Sequence, residues 1–206
     1  SDGISEKILG KFFKSKKNRK DITIVSKIHG DLSKKTIEMC IHESLIRMKT
    51  DHIDYYGVTH DPNTNLDEIL EVMDRFQKEG KILRVACNNY DISMLKSSKR
   101  IQKKNNFSKF GLLETVYNVL YRGAEKDLIN YCDLENIDII SYSPLGAGFI
   151  TGKYKNGRVS PKKTRFDIKP SHKDIYFKDV FFDTMNKLEK LSKETNLSLI
   201  DLALSW

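Results

Sequence analysis

Short runs rich in β-branched and aromatic residues alternate along this chain with longer stretches of helical periodicity. The runs are residues 22–27, 53–59, 83–88, 113–118 and 137–142, and their first residues stand 31, 30, 30 and 24 positions apart. After the first run, Ile37, Cys40, Ile41, Leu45 and Met48 fall on one stripe of a helix over 34–49. After the second, Leu66, Ile69, Leu70, Met73 and Phe76 do the same over 66–79, and Gly80 stands where a helix would end. Residues 92–104 carry Leu95 and Ile101, and residues 124–134 carry Leu128, Ile129 and Cys132. This alternation of periods predicts βαβ units and a parallel sheet.

The repeat length narrows the fold class. A (β/α)8 TIM barrel of about 250 residues allots roughly 31 residues to each unit. A doubly wound sheet would share the spacing, yet no G-x-G-x-x-G follows any of the runs. Polar residues sit instead at the C-terminal ends of successive runs: Lys27, His60, Asn88 with Asn89, Glu114, and Tyr142 with Ser143. In a barrel those ends form one rim, where active sites lie. Five runs do not fill eight strands. A helical stripe of Ile8, Leu9, Phe12 and Phe13 precedes the first run, and another, Leu199, Leu202, Ala203 and Trp206, breaks off at the end. The expectation is therefore an incomplete α/β barrel of about five parallel strands with their helices, forming one partial domain over residues 1–206. Two strands are expected to be missing before it and one after.

Composition adds limits. At 39% hydrophobic and 31% charged residues, the chain falls in the range of folded globular proteins. The apolar stretches around Ile139 and Phe181 fall short of the roughly 18 residues that a membrane span needs. Cys40, Cys87 and Cys132 are odd in number and far apart, which speaks against a disulfide framework or a zinc knuckle and for a reducing, cytoplasmic compartment. The net charge of +8 comes from scattered lysines with no nucleic-acid motif among them. It reads as a basic surface that also attracts an anionic cofactor or substrate.

The rim residues each carry possible chemistry beside a plainer alternative. Lys27 closes a strand-like run, where a lysine is costly unless paired or at work, although it could snorkel to solvent. His60 repeats the Lys27 position one unit later, so both point to one mouth, whereas His29, His42, His52 and His172 read as structural. Asn88 and Asn89 could hold a carboxamide through paired donors and acceptors, or make an Asx turn before the next helix. Glu114 is a carboxylate in an apolar setting and needs a donor. Residues 142–154, YSPLGAGFITGKY, form a strand end and a Gly-rich loop that suits a phosphate, or is simply a loop.

Together these residues resemble the aldo-keto reductase family over the whole chain. The matching pieces are Gly3-x-Ser5-Glu6-x-x-Leu9-Gly10, Ile24-Val25-Ser26-Lys27, the stretch from Ser44-Leu45 to Asp54 ahead of His60, and Glu79-Gly80-Lys81-Ile82. Asn88-Asn89-Tyr90, Tyr117-Asn118-Val119-Leu120-Tyr121-Arg122 and SPLGAGFITGK at 143–153 complete the series in the family's order. The resemblance implies a barrel that binds NADP(H) across the strand C-termini and reduces a small-molecule aldehyde or ketone by hydride transfer. It implies catalytic roles for Lys27 and His60. It implies nicotinamide carboxamide contacts for Asn89, Asn88 and Glu114, ring stacking for Tyr142, and pyrophosphate contacts for Ser143, Leu145 and Lys153. The family's catalytic Asp and Tyr would fall ahead of Gly3, so this fragment is expected to be inactive alone. Asn88 stands where the family has serine, and Glu114 where it has glutamine. Neither a nucleic acid nor a membrane partner is implied. Two other readings stay open: a cofactor-binding sensor subunit with little turnover, and a basic domain that binds an anionic polymer.

Overall fold

The computed structural model describes residues 3–59, 61, 64–154 and 160–206. Five strands form one sheet in sequential order: β1 Val25–Ile28, β2 Ile53–Thr59, β3 Ile82–Asn88, β4 Phe110–Val116 and β5 Asp138–Tyr142. The pairs β1–β2, β2–β3 and β3–β4 are parallel. Helices α1 Ile4–Lys16, α2 Lys34–Met48, α3 Leu66–Lys78, α4 Ile92–Asn105 and α5 Leu128–Glu135 alternate with these strands. This is the βα succession of a (β/α)8 barrel, as the repeat predicts. Beyond β5 lie two single-turn helices, α6 Arg165–Ile168 and α7 Lys173–Tyr176, and then α8 Asp179–Thr195 and α9 Leu199–Ser205.

The chain divides into two compact units, Ser1–Thr115 with Asp127–Ile140, and Val116–Lys126 with Ser141–Trp206. In the first, one face of the sheet is aliphatic. Tyr56, Val58, Val85, Cys87 and Leu113 are buried in one cluster with Ile37, Ile41, Met48, Ile69, Met73 and Phe76 from the helices. In α2 and α3 the stripes read from the sequence are the ones that pack into the core. Helix ends are also written in the sequence: the Asn65 side chain accepts from Asp67 N, Asp91 accepts from Met94 N, and Gly80 follows α3 with φ +71°. In α1 the buried positions are Gly10 and Phe13, while Ile8 and Phe12 are exposed. Gly10 sets this orientation: a Cβ there would lie 2.2 Å from the Arg47 carbonyl oxygen, so α1 and α2 touch backbone to backbone.

Three elements depart from the sequence expectation by more than one residue, and in the two strands a polar group takes over backbone partners. β1 begins at Val25, not at residue 22, since Arg19 donates to Ile22 O (2.7 Å) and Ile24 N donates to Asp54 Oδ2 (2.9 Å). β4 spans 110–116, not 113–118. Asn118 closes a turn there by exchanging backbone bonds with Tyr121 and accepting from Leu120 N and Tyr121 N on its side chain. α5 begins at Leu128 because residues 123–125 form a separate 3-10 turn.

The second unit is built differently. Phe149 packs against Tyr154, Phe166, Tyr176, Phe177 and Phe182 at centroid distances between 5.1 and 6.4 Å. Trp206 lies 4.9 Å from Tyr117, with the Arg122 guanidinium over its indole. Among the described residues, no helix is long and apolar enough to cross a membrane, and no group of three or more His, Cys, Asp or Glu could hold a metal.

Candidate functional site

Register fixes which side chains share a face of the sheet. Lys27 is opposite Gly57, Gly57 opposite Ala86, and Ala86 opposite Leu112. Two residues further along, Thr59 is opposite Asn88 and Asn88 opposite Glu114. Alternation along a strand puts both rows on one face. That face carries the polar residues, and the other face is the aliphatic core. Gly57 and Ala86 are small, which leaves room above β2 and β3 for the Lys27 side chain.

Lys27 uses that room. Its Nζ donates to Glu114 Oε1 at 2.5 Å and also to Oε2, with side-chain exposures of 30% for the lysine and 17% for the glutamate. The snorkelling alternative is thereby replaced: the half-buried ammonium has a carboxylate, and Glu114 has the donor that its setting requires. The carboxylate comes from β4, three strands away in the sheet. Glu114 is itself fixed by its backbone. Its carbonyl oxygen accepts from Asn89 N (2.9 Å) and from Asn88 Nδ2 (3.4 Å). Asn88 is buried, and Asn89 adopts φ +58°, a left-handed turn that asparagine tolerates at the strand end.

A cavity of about 840 Å³ opens along β1. Lys27, His29 and Glu114 line it, as do Glu6, Ser26 and Arg47. In the second group, Glu6 accepts from Ser26 Oγ (2.8 Å) and Arg47 Nε (2.6 Å), and Arg47 also reaches Glu43 (2.7 Å). Burial pushes the Glu6 carboxyl up, but the hydrogen bonds from Ser26, Arg47 and Ser44 outweigh it and hold it below the usual carboxylate range. His29, which the sequence reading treats as structural, lies two residues past Lys27 on the same strand side. Its Nδ1 is 2.7 Å from Thr59 Oγ1. The period of two from Lys27 was the signal that could have marked it. His60 lies outside the described residues.

Tyr142, Ser143, Leu145 and Lys153 belong to the end of β5 and the loop after it. Ser143, Gly146, Ala147, Gly148 and Gly152 all have positive φ, between 55° and 91°. Local bonds hold this loop: Gly146 N to Ser143 O (2.8 Å), Gly148 N to Leu145 O (2.9 Å), and Thr151 Oγ1 to Gly148 O (2.8 Å). Gly148 is favoured by its φ of +91°. The Lys153 ammonium lies over the Tyr154 ring at 5.4 Å. Tyr142, Ser143 and Ala147 line a second cavity of about 560 Å³ together with Tyr121, Arg165, His172 and Tyr176. No carboxylate lines it, and Arg165 gives it a cation. Arg165 and His172 were not singled out from the sequence, because they stand on short helices with no period to place them.

A sequence profile described as the aldo/keto reductase family matches residues 1–206. The chain is similar to aldo-keto reductase YhdN of Bacillus subtilis, 26% identical over 215 residues, which covers 99% of this chain and 63% of the relative. It is also similar to a Schizosaccharomyces pombe protein named aldo-keto reductase yakc [NADP(+)], 25% identical over 217 residues, covering 99% and 62%. Among solved structures, a glycerol dehydrogenase from Gluconobacter oxydans shares the fold with a TM-score of 0.80 at 22% identity, covering 99% of this chain and 64% of that one. The chain thus spans a little under two thirds of the length of these three proteins.

Proposed function

This chain belongs to the aldo/keto reductase family, and on that premise we propose that it serves an NADP(H)-dependent oxidoreductase that reduces an aldehyde or ketone. The observation that carries the reading is the row of polar side chains at the C-terminal ends of sequential parallel strands, with the Lys27 ammonium held on the same face as Asn88 and Glu114.

Taken separately, the residues of each unit suit one part of a nicotinamide dinucleotide. The second cavity has a cation and no carboxylate in its lining, which suits a pyrophosphate. Ser143 and Arg165 would hold that part from the cavity lining, and the family resemblance adds Leu145 and Lys153 to it and stacks Tyr142 on the nicotinamide ring. Asn88, Asn89 and Glu114 offer both amide donors and oxygen acceptors for a carboxamide. When bound, the dinucleotide supplies the hydride. Negative charge then develops on the carbonyl oxygen; the His60 imidazole would orient and stabilise it, and the family's tyrosine, made more acidic by the Lys27 ammonium, would give the proton that completes the alcohol. A cytoplasmic setting accords with three free thiols, Cys40, Cys87 and Cys132.

The test has two arms. NADPH fluorescence should report binding to the chain, weakened by Lys153→Ala. Loss of reduced-nicotinamide absorbance with 4-nitrobenzaldehyde should report turnover by the whole protein that carries these residues. Lys27→Met and His60→Ala should each lower kcat by about 10²–10⁴-fold. Binding without turnover in the whole protein would favour the sensor reading, and no binding of NADPH or NADH would remove both.

A further inference from the structure

We infer that Glu114 is a positioning residue for Lys27, keeping its ammonium at one place on the polar face of the sheet. The inference deepens the proposed function, since it rests on reading Lys27 as a working residue. The geometry is not that of an incidental surface pair. β1 and β4 are not neighbours, and the lysine must cross β2 and β3 to reach its partner. The two residues opposite it along that path, Gly57 and Ala86, are the small ones that permit the crossing. Both carboxylate oxygens accept from the one ammonium, so the charge is fixed from two directions.

Glu114 is equipped to act as a fixed arm. It lies within β4, in register with Asn88, and its own carbonyl is bonded to Asn89 N and Asn88 Nδ2. A flexible four-carbon stem such as that of lysine needs such an anchor to hold one position. A glutamine at 114 could accept one hydrogen bond from the ammonium, but it would bring no charge to hold it. The pair also cancels its own charge. Lys27 can then act on charge that develops during a reaction without acting as a standing anion trap.

Trace acylation of the chain with an acetyl N-hydroxysuccinimide ester, mapped by peptide mass spectrometry, tests this without cofactor or carbonyl. A failure here is therefore separate from a failure of turnover. Glu114→Gln should raise the Lys27 acylation rate about fivefold, the factor that corresponds to losing roughly 1 kcal/mol of pairing. Lys99, which is paired with Glu135, serves as the internal control and should not change. Glu114→Asp keeps the charge on a shorter arm, so its rate should fall between the two. A Lys27 rate in folded Glu114→Gln equal to that of the parent would overturn the inference. If Glu114→Gln does not fold, a Lys27 rate in Glu114→Asp identical to that of the parent would overturn it instead.

Discussion

The two units of this chain reach a packed interior by different routes. The first buries aliphatic side chains that recur at helix and strand periods, such as Ile37, Ile41, Leu45 and Met48 along α2. The second gathers aromatic rings from loops and short helices around Phe149. A periodic core spreads its stabilisation over many similar contacts, whereas a ring cluster concentrates it on a central member. The contrast shows that a core can be dense without leaving any period in the sequence.

The sharpest way to break this comparison is at the centre of the ring cluster. Phe149→Ala should cost about 5 kcal/mol, the top of the range for such truncations, while Ile37→Ala in the first unit should cost about 2–3 kcal/mol. Urea unfolding followed by far-ultraviolet circular dichroism measures both. Equal costs would mean that the ring cluster is no more concentrated than the periodic core. Next comes the α1–α2 contact. Gly10→Ala gains roughly 1 kcal/mol in helix propensity, yet its Cβ meets the Arg47 carbonyl, so a net loss of about 1–3 kcal/mol is expected in the same assay. A net gain would show that α1 can shift away from α2 freely.

Helix caps sharpen the comparison because they act locally, whichever core they adjoin. Asp91→Ala in the first unit and Ser198→Ala in the second should each cost about 1 kcal/mol. Ser198 forms a reciprocal capping box with Asp201 at the start of α9. A clear difference between the two would mean that one helix is held mainly by its packing. The smallest effect concerns acid. Burial pushes the Asp74 carboxyl up, but the Lys78 ammonium and two hydrogen bonds from Ser108 outweigh it and hold it below the usual range. A carboxyl lowered in the folded state contributes stability above its unfolded value, near about 3.9. That contribution is lost as pH falls through the lower folded value. The urea midpoint of the parent should therefore drop more steeply below about pH 4 than that of Asp74→Asn.

The same contrast governs how much could be read from the sequence. The five runs, the four helices between them and the Gly80 stop followed from periodicity and end signals, and the structure has them. The errors lie where a side chain competes with the backbone ladder, as Asp54 does for Ile24 N and Asn118 does at the end of β4. Such bonds join residues far apart in the chain or depend on a turn's geometry, so no local pattern announces them. At the candidate site, Lys27, Asn88 and Glu114 were legible from their places at strand ends. Their pairing was not, because it depends on register across four strands. α8 was missed although it spans Asp179–Thr195. Phe182, Met185 and Leu188 do recur in it at helical spacing and pack on the ring cluster, so the signal was present and was passed over because no β-like run follows the helix to make it part of the repeat.

Trp206 is the chain's single tryptophan, and it stands beside Tyr117 within the second unit. Its indole is thus a built-in optical probe of one region alone. Excitation energy passed from Tyr117 should light Trp206 while the aromatic region is assembled and stop doing so when it comes apart. Emission from this one ring can then time the opening of that region independently of the sheet, with no label added to the protein.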